Sequence, residues 1–277
     1  LTIYIFTFVI GLPSNLLAFY ALLVKVRHKP TPIDILLLNL TISDILLLIF
    51  LPFKMVEAAS GMQWPLPKFL CPLTSFIYFG SIYISSLFLM AISVERYLGV
   101  AFPIKYKLRR RPAYAIAASV FFWVVACSHC SIVYIVQYKD NSSSSPANTP
   151  GACYDNFTPI QLRVLLPARL ELGIVLFLVP SLLTSFCYCG FMWAVVSSPH
   201  ISREKKRGAV GLVAATLAVF IICFTPYNVS HVVGFFQRAN PAWRDKALLL
   251  STFNASLDPI IFYFSSSAVQ HSCCKFL

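Results

Sequence analysis

Long apolar runs separated by short polar connections organise this chain. Seven can be drawn, at roughly Leu1–Val26, Ile33–Ala59, Leu70–Val100, Ala113–Gln137, Gln161–Ser197, Gly208–Gly234 and Trp243–Ser267. A run of about 18 or more apolar residues with almost no charge is long enough to cross a bilayer as a helix. The pattern therefore predicts an all-α membrane protein, a bundle of seven transmembrane helices. The connections alternate in charge. Lys25, Arg27 and Lys29 follow the first run, Lys105, Lys107, Arg109, Arg110 and Arg111 the third, and Arg203, Lys205, Lys206 and Arg207 the fifth. The even-numbered connections carry far fewer: Lys68, Lys139, Arg163 and Arg238. Positive charge is retained on the cytoplasmic side, so the N-terminus is expected to be extracellular. Pro52, Pro180, Pro226 and Pro259 fall inside the runs. Membrane helices tolerate the kinks these produce when neighbours satisfy the freed backbone groups.

Composition narrows the class. The 277 residues are 58% hydrophobic and 12% charged, against roughly 25% charged in a soluble globular chain. A soluble domain with one anchor is excluded, and a single transmembrane domain over residues 1–277 is expected. The net charge of +12 could suggest nucleic acid. However, the basic residues sit in short clusters between apolar runs, which topology alone produces. Residue 1 is Leu, already within an apolar run, so both natural tails are expected to lie outside this sequence. The nine cysteines cannot form a fully paired framework. Cys127, Cys130, Cys187, Cys189 and Cys223 lie inside runs and read as small buried hydrophobes, with no completed metal-ligand set. Cys71 and Cys153 both fall on the oxidising outer side.

Charges in the runs mark the candidate chemistry. Asp44 and Asp258 are the carboxylates deep in the spans, a costly placement that points to function. Arg169 precedes Pro180 by eleven residues, about 16 Å outward at about 1.5 Å per residue. Arg244 opens the seventh run, and His129 and His231 also lie at outer helix ends. A guanidinium keeps its charge and offers a planar fork that matches a carboxylate. Two facing one cavity repel unless an anion, or Glu171 or Asp155, stands between them. With the Tyr83 and Tyr227 hydroxyls nearby, the group reads as a small-anion pocket. The alternative is that each arginine snorkels to the headgroups.

Glu95-Arg96-Tyr97, followed by Val100, Ala101, Phe102 and Pro103, resembles the E/DRY motif of rhodopsin-like (class A) G-protein-coupled receptors. Asn15, Asp44, Trp123, Pro180 with Tyr188, Cys223-Phe224-Thr225-Pro226 and Asp258-Pro259 resemble that family's motifs on the other helices. The chain departs from the pattern twice. Phe224 stands for the tryptophan of CWxP, and Phe262 for the tyrosine of DPxxY, whose hydroxyl Tyr263 or Tyr188 would have to replace. The resemblance implies a Cys71–Cys153 disulfide. It also implies a sodium site at Asp44, Ser85, Asn254 and Asp258 with Asn15, the other reading being a protonated aspartate pair with no ion. Beyond that ion no cofactor is expected.

LPFKMVEAASGMQWPLPKFLCPL, ISVERYLGVAFPIKYK, LPARLEL, CFTPYNVSHVVGF and NASLDPIIFYFSSS are similar to the short-chain free fatty acid receptors, types 2 and 3. The resemblance implies that Arg169 and Arg244 anchor a ligand carboxylate, that His231 assists, and that His129, Tyr83 and Tyr227 line the pocket. Phe79 matches a position that tends to be tyrosine in type 2 and phenylalanine in type 3. Acetate, propionate and butyrate are then the expected ligands. With few contacts to offer, they are expected to bind near 0.1–1 mM, an order-of-magnitude figure. Kinks at Pro226 and Pro259 would let the inner halves move while Arg96 exchanges Glu95 for Tyr188 or a partner. Heterotrimeric G proteins (Gi/o, Gq/11) and arrestin are the expected partners of a multi-pass plasma-membrane transducer. Asn141 and Asn156 are outer-loop glycosylation candidates, and Cys273 and Cys274 palmitoylation candidates. Rivals are a receptor for a hydroxycarboxylate or nucleotide, which would recruit more Lys and Arg in the latter case, or a seven-helix transporter. A retinal pump would need a lysine deeper than Lys246. An enzyme is not expected.

Overall fold

The computed structural model describes residues 1–109, 111–138, 153–154, 157–199 and 201–265; of the side chains at 109, 137, 138 and 262–265 nothing is said. Asn141, Asn156, Asp155, Cys273, Cys274 and the Phe262 and Tyr263 side chains therefore lie outside the described part. Among the described residues there is no strand. The first three spans are α1 (Thr2–His28), α2 (Pro32–Ala59) and α3 (Leu70–Ala101). A short α4 (Pro103–Arg109) follows, then the fourth span as α5 (Pro112–Cys130) and α6 (Ile132–Tyr138). The fifth is α7 (Pro159–Gly173), a π turn over Ile174–Leu178 and α8 (Val179–Ser197). The sixth is α9 (Arg203–Gln237) and the seventh α10 (Arg244–Ser265).

Local chemistry sets the starts. Thr31 caps α2 by accepting the Asp34 amide (3.2 Å), Pro32 opens the first turn, and Lys25 pairs with Asp34 at 2.7 Å. Thr158 and Gln161 form a reciprocal capping box on α7, which satisfies two amides that a helix start leaves open. The prolines explain the irregularities. Pro259 cannot donate to the Ala255 carbonyl, and Asn15 Nδ2 takes that acceptor at 2.7 Å. Near Pro226, Ser251 on α10 donates to the Cys223 carbonyl at 2.9 Å. Ahead of Pro180 the ladder widens into the π turn, a feature the apolar run does not announce. The sixth helix starts earlier than its apolar run, because Arg203–Arg207 continue it as good helix formers.

The bundle closes on itself. α1 packs between α2 and α10, α10 against α9, α9 against the fifth span, and the fifth span against α3. The most apolar window of α3 is 78% buried, that of the fourth span 22%. The third helix is thus the axis and the fourth an outer post. Six helices are apolar and long enough to cross a membrane among the described residues. α10 joins them by packing, its polar face carrying Asn254 and Asp258 into the bundle. Cys71 at the start of α3 is disulfide-bonded to Cys153, with Cα atoms 5.6 Å apart. That end is termed outer below.

Candidate anion-binding site

Arg169 and Arg244 do not reach for headgroups. They are 4% and 3% exposed and line one outer cavity with Phe79, Tyr83, Cys130, Ile132, Val133, Tyr154, Leu165, Leu172, Tyr227 and His231. The free space between atoms, its open mouth included, is about 290 Å³, at the small end of the range for ligand pockets.

Each guanidinium is fixed on one side and open on another. Arg169 Nη1 donates to Asn240 Oδ1 at 3.0 Å, and its Cζ lies 5.1 Å from the Phe157 ring and 5.9 Å from that of Tyr154. Arg244 Nη2 donates to the Tyr227 hydroxyl at 3.0 Å, with Cζ 5.4 Å from the Phe79 ring and 5.2 Å from that of Tyr227. Those two rings are parallel, 6.2 Å apart, and form a wall behind the charge. Arg169 Nη2 and Arg244 Nε are buried without an acceptor. His231 Nε2 shares a hydrogen bond with the Tyr83 hydroxyl at 2.9 Å, and its Nδ1 is buried without a partner. In the outer loop, burial pushes the Tyr154 phenol up to about 12 against the opposing pull of both guanidiniums, so it is neutral. Among the described residues no carboxylate lines the cavity. Two buried cations facing one space with open donors are a costly arrangement in need of an anion.

The structure corrects two expectations. His129 does not line the cavity: its Nδ1 bonds the Val125 carbonyl at 2.8 Å and its Nε2 meets Glu171 Oε1 at 3.0 Å on the exposed side. One residue along a helix turns about 100°, and Cys130 takes the inward direction instead. Glu171, two residues past Arg169, points away for the same reason and cannot stand between the arginines. Tyr154, Asn240, Leu165 and Leu172 were not foreseen. Leu165 and Leu172 lie four before and three after Arg169, on its own face, so helical spacing could have found them. Nothing in the sequence singles out Asn240.

A second outer space of about 480 Å³ shares Phe79, Tyr154 and Arg244 with the first and also borders Lys54, Glu57 and Asp245. There Glu57 pairs with Lys54 at 2.8 Å and accepts the Cys153 amide at 2.5 Å.

Midway along the bundle, Asn254 Nδ2 donates to Asp258 Oδ2 at 2.8 Å, and Asp44 meets Asp258 and Ser85. Asp44 Oδ2, Asn15 Oδ1 and Asn254 Oδ1 are buried with no partner. This all-oxygen set fits a hard monovalent cation. At the inner end Tyr106 donates to Glu95 Oε2 at 2.5 Å, and the buried Tyr188 phenol faces Arg96. The Tyr97 ring lies edge-on to Phe102 and Phe186 and presses on Gly190. Phe224 packs edge-on against Phe220 at 5.4 Å, wholly apolar. Among the described residues no three His, Cys, Asp or Glu side chains group as metal ligands.

A closed ring of apolar helices, Cys153–Tyr154 tethered by a disulfide at the mouth of a cavity, buried aspartates at mid-depth and Glu95-Arg96 at the inner end describe a membrane-spanning helix bundle with a pocket at one end. The family described as 7 transmembrane receptor (rhodopsin family) matches residues 14–262. Free fatty acid receptor 3 of Mus musculus is 51% identical over 269 residues, 97% of this chain and 83% of that protein. Free fatty acid receptor 2 of Rattus norvegicus is 51% identical over 273 residues, 98% and 83%, and free fatty acid receptor 1 of Macaca fascicularis 33% over 269 residues, 94% and 88%. The chain belongs to the free fatty acid receptors of the rhodopsin family, and equal identity leaves types 2 and 3 undivided.

Proposed function

We propose that the outer cavity receives short-chain carboxylates such as acetate, propionate and butyrate, and that their binding is signalled to heterotrimeric G proteins at the inner end. The observation that carries this reading is the pair of buried guanidiniums with open donors and, among the described lining residues, no carboxylate. A carboxylate supplies the missing charge and up to four acceptor sites. The names of the relatives as fatty acid receptors support the ligand class, and the narrowness of the space supports short chains. Each charge-assisted hydrogen bond contributes about 1.5–3 kcal/mol and each buried methylene about 0.8 kcal/mol. His231 and Tyr83, joined by a hydrogen bond, are placed to turn an N–H or O–H toward the anion. A triphosphate has neither the room nor the cations here.

At the inner end the proposed partners are Gi/o or Gq/11 α-subunits and arrestin, bordered by α4 and the basic start of α9. A sodium ion held by Asp44, Ser85, Asn254 and Asp258 with Asn15 is proposed for the mid-depth cluster; bound there, it would offset one of the two aspartate charges. The test is G-protein activation by the three acids in wild type, Arg169→Ala and Arg244→Ala at matched surface expression. Wild-type responses lost in both variants are expected. Silence of well-expressed wild type to all three acids would refute the ligand assignment.

A further inference from the structure

The connection from Arg238 to Trp243 is fixed at both ends. Arg238 caps α9 in the left-handed region (φ 52°, ψ 31°), and the Ala239 amide donates to the Gly234 carbonyl at 3.2 Å. The turn folds back so closely that a Cβ on Gly234 would stand 3.0 Å from the Ala239 carbonyl oxygen and 3.3 Å from Pro241 Cδ. At the other end the Arg244 amide donates to the Pro241 carbonyl at 3.0 Å. Asn240 sits between these two turns, and its Oδ1 accepts from Arg169 Nη1. One short connection thus delivers Arg244 to the cavity and holds Arg169 from across it.

We propose that Asn240 is a positioning residue of the anion site, a neutral acceptor that orients the Arg169 guanidinium without consuming its charge. This deepens the carboxylate reading above and rests on it. With Nη1 bound to Asn240 and the Phe157 ring against the guanidinium, rotation is arrested and the unpartnered Nη2 stays available. The neutrality of the acceptor is the essential property. A carboxylate at 240 would give Arg169 both a fork partner and a counter-charge, and a ligand anion would have to displace it. A residue that only closes the loop would have no such dependence on the charge of its side chain.

The experiment uses the whole receptor, with propionate concentration–response curves at matched surface expression and melting curves of the purified protein with and without propionate. Asn240→Ala is expected to raise the half-maximal concentration about tenfold with the maximal response kept, the loss of one charge-assisted hydrogen bond. Asn240→Asp is expected to raise it further, about a hundredfold, while the ligand-free protein melts above wild type because the new carboxylate pairs with Arg169. Asn240→Ser, which keeps an oxygen acceptor, returns potency to within about threefold of wild type. Equal shifts for Ala and Asp, an Asp variant within about threefold of wild type, or a ligand-free Asp variant melting below wild type would each overturn the proposal. Wild type silent to propionate would instead sink the carboxylate reading. The order of the ligand-free melting temperatures would still decide whether residue 240 contacts Arg169.

Discussion

Arg244→Lys separates charge from geometry. Arg244 spends Nη2 on the Tyr227 hydroxyl and keeps a buried Nε without an acceptor, so an arriving carboxylate meets an open donor beside a fixed charge. A lysine keeps the charge and can still lie over the Phe79 and Tyr227 rings, which are 5.4 and 5.2 Å from the present guanidinium carbon. It loses the planar fork, and its ammonium must choose between Tyr227 and the ligand. The cost is one hydrogen bond to a charged group, about 1.5–3 kcal/mol, or about 10–150-fold. Half-maximal binding at 0.1–1 mM corresponds to about 4–5.5 kcal/mol in all. A single bond is therefore a large part of the total, and the curve should move into the tens of millimolar.

The sharper readout is how the shift depends on the tail. Each added methylene contributes about 0.8 kcal/mol, or about fourfold, through walls such as Leu165 and Leu172 and not through the head group. Distant contributions add, so acetate, propionate and butyrate should shift by the same factor in G-protein activation assays of Arg244→Lys. A shift that grows with chain length would mean that Arg244 shapes the tail space, and no shift for any acid would mean that a point charge suffices. Either result refutes the forked head-group contact.

Three further substitutions test other parts of the arrangement. His129→Ala should change propionate potency by less than about fivefold, because its pairing with Glu171 is largely exposed and such pairs contribute at most about 1 kcal/mol; concentration–response curves check this. Gly190→Ala would put a Cβ 2.6 Å from Tyr97 Cε2, an overpacking cost of about 1–3 kcal/mol. A lower melting temperature and weaker G-protein activation, with propionate still raising that melting temperature, are expected. Wild type should show a sodium-dependent rise in melting temperature that Asp44→Asn abolishes, since an ion at about five times its dissociation constant adds about 1 kcal/mol; no rise in wild type, or its persistence in the variant, would remove sodium from the cluster.

What could be read from the sequence follows the demands of the solvent. A bilayer requires long unbroken apolar runs, so the seven spans were visible to within a few residues. A cation in such a run stands out wherever it points, which is why Arg169 and Arg244 were legible. Depth along a helix follows from counting, but direction around it does not when the apolar faces are as uniform as those of α5 and α7. His129 and Cys130 lie at nearly one depth, and only packing decides that Cys130 turns inward. The π turn at Ile174–Leu178 and the break at Ser131 shift that phase again, and neither has a pattern of its own. Asn240 is one polar residue in a polar connection. Its role arises from the left-handed turn at Arg238 and the missing side chain at Gly234, which together bring it over Arg169.

The distribution of the two guanidiniums matters more than their number. A ligand with about 4–5.5 kcal/mol of binding free energy has little to spare, because moving a two-state equilibrium from 1:99 to 99:1 takes about 5.5 kcal/mol of differential affinity. Nearly all of its contacts must then form in one state only. A carboxylate held by a single helix would bind both states alike and shift nothing. Here Arg169 belongs to the fifth span and is tied through Asn240 to the connection between the sixth and seventh, while Arg244 belongs to the seventh and is tied through Tyr227 to the sixth. An anion joining the two guanidiniums would bridge three helices at once and lose its contacts when they part. On the proposed carboxylate reading, that division between spans would let a weak anion site act as a switch, with Arg169 Nη2 and Arg244 Nε buried and without acceptors in the absence of the anion.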